Sequence, residues 1–298
     1  MKALCKFNLK SLHGRLVFIK FFRKGCATER VKTALGLILI LLAADSRAAF
    51  DKIALGAAPL AMGNAAVACS DFPYAVHYNP AAISVSGICD FAITYRNFFG
   101  LKEVSQADLV TNFCVAGRPV ALGINRLGNE NYTEFQGCLG IAFSIGSAFS
   151  LGVSFHLYHL HISGYGETQT WGLDGGLLVA LLPELTLGAQ MTNLNRPRIA
   201  SNSEALPQVM TLGLCFEAIE DMQIMLDVCR DIHFGPAYRA GMSYRLTKGF
   251  TVRAGLEDAV DTVCTGCSFA VFNFCFEYAL RIHQTLGLSH AVSMVINL

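Results

Sequence analysis

From Gly137 to Phe155 the chain runs for 19 residues without a charge, yet the order of its side chains argues against a helix. Leu139, Ile141, Phe143 and Ile145 alternate with Gly140, Ala142 and Ser144. After Gly146-Ser147 the pattern resumes as Phe149, Leu151, Val153 and Phe155, with Ser150, Gly152 and Ser154 between. Successive side chains of a strand point to opposite faces, so every large residue falls on one side. A Gly-Ser pair between two such runs is a hairpin signal.

The alternation returns at 91–95, 120–125, 185–190, 222–229, 238–247, 250–257, 272–281 and 286–298. The second face carries small or charged residues and almost no lysine. A soluble sandwich would turn that face to water, and this one would make a poor water-exposed surface. A membrane barrel turns the large residues to lipid and lines its lumen with the small and charged ones. Composition agrees. The chain is 15% charged and 53% hydrophobic, with 27 glycines, whereas a soluble domain is about 25% charged. The reading is an all-β, antiparallel transmembrane β-barrel of about 14 strands. Ile141, Phe143, Leu151 and Val153 are expected to face lipid near the middle of their strands, and Ser144 the lumen. Short connections at 117–119 and 248–249 alternate with longer ones placed at 129–137, 163–169 and 195–206. The last strand keeps register to Leu298, the kind of apolar end that outer-membrane assembly machinery reads.

The net charge of +1 hides an asymmetry. Residues 1–48 hold ten Lys and Arg against Glu29 and Asp45, leaving 13 basic and 20 acidic residues beyond them, a net −7. Nucleic-acid binding needs a basic face, so no nucleic-acid partner is expected. Residues 34–44 are uncharged and too few to span a bilayer, which takes about 20. With Arg30 and Lys32 before them and Ser46 and Ala48 after, they read as a secretory signal peptide. The stretch 1–30 is long for its basic region and reads as a mis-assigned extension, with translation starting at Val31.

Residues 56–68, Gly-Ala-Ala-Pro-Leu-Ala-Met-Gly-Asn-Ala-Ala-Val-Ala, followed by Tyr78-Asn79-Pro80-Ala81-Ala82, resemble the mature N-terminus of PorV/PorQ-like proteins of the FadL/TodX outer-membrane β-barrel superfamily. Phe274-x-Phe276-Glu277-Tyr278-Ala279 and Leu286-Gly287-Leu288-Ser289-His290 look like the last two strands of that group. The resemblance implies a signal peptide over 1–48, a plug segment over 49–86 folded into the lumen, and a barrel over 87–298 at the cell outer membrane. It implies a barrel seated in outer-membrane lipid that takes up a small hydrophobic ligand, or alternatively a docking role toward an exported protein in a secretion system. Physical reading of the residues supports a plug, because 54–70 is uncharged, rich in Ala and Gly, and does not alternate. Asn79 can cap a short helix that begins at Pro80, and a simple turn is the alternative.

Inward polar candidates are Arg96, Arg126, Asp174, Asp227, Arg239, Arg245, Arg253, Glu257, Glu277 and Arg281, read either as bracing salt bridges or as a polar path. Asn79, Pro80 and Ala81 form the plug motif. His159 and His161 share a face, but no acid or thiol lies at ligand spacing, so they read as a polar belt beside Tyr158, Tyr165 and Trp171 rather than a metal site. Cys264 and Cys267, three apart in a strand, point to opposite faces and cannot form a redox pair. No nucleophile–base set, phosphate loop or dinucleotide fingerprint is legible. The chain is read as a non-enzyme with no cofactor.

Overall fold

Alternation over so many consecutive segments has one stable outcome in lipid, a sheet closed on itself so that no strand edge is left unpaired. The computed structural model describes residues 50, 55–70, 72–84, 90–101, 103–199, 205–231, 235–258 and 261–297. The signal peptide expected over 1–48 lies outside them. Fourteen strands form the wall: β1 (Asp90–Asn97), β2 (Ser105–Val115), β3 (Arg118–Gly128), β4 (Tyr132–Ile145), β5 (Phe149–Ile162), β6 (Gly166–Leu182), β7 (Leu185–Met191), β8 (Val209–Ile219), β9 (Met222–Asp231), β10 (Pro236–Thr247), β11 (Phe250–Glu257), β12 (Thr262–Val271), β13 (Phe274–His283) and β14 (Gly287–Asn297). Each pairs antiparallel with its sequence neighbours, and β14 closes on β1 from Asp90 opposite Asn297 to Asn97 opposite His290.

The large residues face outward. Leu139, Phe155, Leu226, Phe276 and Val292, spread around the circumference, each leave 44–53% of their surface exposed. A continuous apolar exterior of this kind is incompatible with water. It is the surface of a membrane-spanning barrel. Tyr95, Tyr132, Trp171 and Tyr238 stand outward toward one rim, the aromatic girdle of such barrels.

At the opposite rim every connection is a tight turn of two or three residues: 116–117, 146–148, 183–184, 220–221, 248–249 and 272–273. Ala116 and Gly117, both at positive φ (50° and 75°), make a turn whose twist matches the flanking strands. The other side carries the longer connections. Two expectations are corrected here. The segments 129–137 and 163–169 are not long loops, because β4 already starts at Tyr132 and β6 at Gly166. Between consecutive strands on that side, only 192–208 exceeds seven residues. Phe272 belongs to a turn, at φ 53° and almost fully exposed, rather than to the strand alternation.

Residues 55–70 and 72–84 lie inside the barrel, with Ala57–Ala61 as helix α1, Ala75–Tyr78 as helix α2, and a 3-10 turn over Pro80–Ser84. Nearly all are buried. Short uncharged residues let this segment touch the wall at the backbone itself. A Cβ on Gly152 of β5 would fall 2.2 Å from the Pro80 carbonyl carbon, and one on Gly176 of β6 would fall 2.2 Å from Asn79 Oδ1. The small inward face of the strands is therefore the counterpart of a filled lumen.

Candidate functional site in the barrel lumen

A segment with so few strand or long-helix hydrogen bonds must find other partners for its backbone once buried. Inward carboxylates supply them. Asp227 on β9 accepts from Ala66 N and Val67 N at 2.9 and 3.1 Å through one oxygen. Glu277 on β13 accepts from Ala58 N at 3.2 Å and from the Tyr74 hydroxyl at 3.3 Å. Ser293 Oγ on β14 accepts from Ala57 N at 2.9 Å. Charge-assisted bonds to N–H groups are stronger than neutral ones, so this wall grips the segment from β9 round to β14.

Asn79 is fully buried in an extended conformation just before the 3-10 turn. Its Oδ1 accepts from Ala81 N at 3.0 Å, and its Nδ2 donates to Val67 O and Leu177 O at 2.8 and 2.9 Å. One amide thus ties two stretches of the inner segment to β6. Pro80 and Ala81 pack against Gly152.

A second group of charges gathers around Glu257. Glu257 on β11 meets Arg239 on β10 at 3.1 Å and Arg281 on β13 at 2.8 Å, and also accepts from Asn64 Nδ2 at 3.3 Å. Arg253 donates to Ser268 at 2.9 Å. Arg96, 2% exposed, lies with its guanidinium carbon 4.0 Å from the centre of the Phe98 ring. Asp174 on β6 holds His156 on β5 at 3.1 Å and accepts from Asn193 N at 2.8 Å.

Two of the expected inward residues are elsewhere. Arg126 shares the phase of Leu122 and Ile124 and points outward, while Asn125 takes the lumen side. Arg245 has lumen phase but stands exposed at the tight-turn rim, 3.7 Å from Asp221 in the turn between β8 and β9. Tyr158, placed by the sequence in an outer belt, points inward and donates to Asn193. His159 does stay partly outside, 3.3 Å from Glu167.

Sequence reasoning missed His77. It sits on α2, with Nε2 3.4 Å from Asp108 Oδ1 of β2 and Nδ1 3.8 Å from Cys138 Sγ of β4. Burial alone lowers its pKa, but the facing Cys138 and Asp108 more than offset that and push it up to about 10. Burial likewise raises the phenols of Tyr74 and Tyr78 on the same segment. A lone histidine and a lone cysteine 61 residues apart leave no local signal. Eight cysteines among the described residues carry free thiols.

A narrow cavity of about 70 Å³ remains beside the inner segment, bordered by Phe50, His77, Tyr78, Glu134, His156, Tyr158 and Asn193. A shallow apolar hollow of about 250 Å³ marks the outside of the wall at Gly175, Leu177, Ala189, Met191 and Met210. There β7 is short, and the edge of β6 above it is covered by residues 192–199. Leu194 N donates to Leu173 O at 2.7 Å, and the Asn195 side chain bonds Leu173 N and Trp171 O at 3.0 and 2.9 Å.

Solved structures share the fold of this closed barrel. The toluene transporter TbuX of Ralstonia pickettii superposes with a TM-score of 0.62 at 14% identity, over 83% of this chain and 98% of its own. The toluene transporter TodX of Pseudomonas putida gives 0.61 at 12%, over 85% and 99%. The chain has the fold of these transporters. A Pseudomonas aeruginosa FadL homologue gives 0.55 at 11%, over 81% and 98%. No family model and no curated protein matches the sequence.

Proposed function

We propose that this protein is an outer-membrane channel that takes up small hydrophobic molecules, with residues 49–86 acting as its plug after removal of a signal peptide. The observation that carries the reading is the inner segment, held to the lumen wall by side chains rather than by continuous secondary structure. A segment fixed by a few polar clamps can shift without opening the wall, because the barrel's hydrogen-bond network does not depend on it. The structures of similar fold are described as transporters of toluene and as channels for monoaromatic hydrocarbons. The apolar hollow between β6 and β8 supports release of the ligand sideways into the bilayer. At that place Gly175 and Ala189 thin the wall among larger apolar residues, and the Leu194 backbone and Asn195 side chain pair with β6 in place of a neighbouring strand. The Asn79-Pro80-Ala81 turn, bonded to Leu177 of β6, sits on the inner side of the same wall.

The test is uptake of radiolabelled toluene and oleate by Gram-negative cells lacking their own channels for hydrophobic compounds, with and without this protein. Folded protein in the outer membrane is expected to raise initial uptake of at least one of them several-fold. Uptake equal to the empty-vector control, with the folded barrel present, would refute the transport reading.

A further inference from the structure

One cluster in the lumen carries chemistry beyond what the grip on the inner segment or the passage of a ligand requires. The His77 ring lies over Gly123 of β3, where a Cβ would fall 2.6 Å from Cys138 Sγ and 2.8 Å from His77 Cε1. Gly123 is paired with Cys138 on β4, and Asp108 stands on β2 on the other side. The imidazole therefore bridges three consecutive strands, with a thiol at one nitrogen and a carboxylate at the other. That order activates a sulfur nucleophile. The base takes the thiol proton, and the carboxylate holds the base's far nitrogen and balances its charge. His77 also borders the lumen cavity, so its ring is the partition between Cys138 and open space.

We propose that Cys138, His77 and Asp108 form a covalent-modification site for small, flat α,β-unsaturated carbonyl compounds. In the reaction the Cys138 sulfur, its proton already held on His77 Nδ1, adds to the β-carbon of the acceptor. The carbon–carbon π pair moves into an enolate, whose α-carbon takes the proton back from His77. The product is a thioether, and no oxidant is consumed. The space over Gly123 is already filled by the imidazole and the sulfur, so an adduct displaces His77 and α2 with it. The site thereby reports reactive compounds in the lumen through the position of the inner segment.

Buried thiols without a base are inert, which supplies an internal control. Cys215 on β8 is as buried as Cys138, at 6% against 5% exposed. Folded protein in detergent is treated with N-ethylmaleimide, and each site is followed by peptide-mapping mass spectrometry. Cys138 is expected to react at least tenfold faster than Cys215 in the same molecules. His77→Asn and the near-isosteric Asp108→Asn are each expected to bring the Cys138 rate down toward that of Cys215, with the Cys215 rate unchanged. A variant that misfolds reveals itself by rapid Cys215 labelling, and the wild-type ratio and the other variant then decide. Equal rates at the two cysteines in wild type, or a Cys138 rate unaffected in a folded variant, would overturn the proposal.

Discussion

At the scale of single residues, the inner segment depends on side chains that take the place of a missing secondary structure. Asn79 is the clearest case, since its one amide makes three bonds to buried backbone groups. Asn79→Ala removes a cap, at about 1 kcal/mol, and leaves two buried carbonyls short of a donor, at roughly 1–3 kcal/mol. That cost is local, because the wall does not use these bonds. Heat-modifiable migration on gels should be unchanged in the variant, while limited proteolysis with mapped fragments should show faster cleavage within 55–84. Unchanged resistance there would remove Asn79 from the set of fixing residues. The Asn-Pro pair made this position legible in the sequence, because an N-cap before proline is a local pattern. Asp227 was legible only as an inward charge. Alternation fixes the face of a side chain, but nothing local shows that its oxygen meets Ala66 and Val67 backbone rather than an arginine.

At the scale of strands, the two faces impose different limits. The outer face was readable because its period is two and its residues are large. Arg126 was expected inward against that period, since the unbroken alternation of β3 sets it outside with Leu122 and Ile124, near the aromatic rim. Depth along a strand was also misjudged. Phe143 lies near the tight-turn end of β4, within reach of the outward Arg118 guanidinium at 5.4 Å, and the middle of the strand is Leu139. A lipid-facing arginine costs roughly 2–4 kcal/mol at the midplane and little near the interface. Leu139→Arg should therefore cut the folded, membrane-inserted fraction severely, and Phe143→Arg only mildly. The inner face is no more permissive where the inner segment touches it. Gly152→Ala should lower the yield of folded protein despite adding a single methyl, because its Cβ meets the Pro80–Ala81 backbone. Ser144→Arg, exposed at the rim, should insert normally. Quantifying heat-modifiable bands for the four variants checks the order, and equal insertion of Leu139→Arg and Ser144→Arg would reverse the assignment of faces.

At the scale of the molecule, the barrel is two structures held by different forces. The wall is a closed ring of backbone hydrogen bonds between groups that do not titrate. The inner segment is held by ionisable and hydroxyl side chains, so pH should separate the two. His77 has a folded pKa raised to about 10, above the ordinary histidine value of 6.5. A group whose pKa is raised on folding stabilises the structure fully below its unfolded value, and that contribution is lost as pH rises through the folded value. For His77 the loss runs from about pH 6.5 and is complete above about pH 10. The raised phenols of Tyr74 and Tyr78 act in the same direction at still higher pH. Base should therefore loosen the inner segment while the wall persists. Comparing pH 8 with pH 11, limited proteolysis should show faster cleavage within 55–84 at the higher pH, and the barrel should keep its heat-modifiable migration. His77→Asn should be looser already at pH 8 and show a smaller change between the two. Loss of the wall and the inner segment together at pH 11 would mean that the two are one cooperative unit, and the plug could then not move without unfolding the barrel.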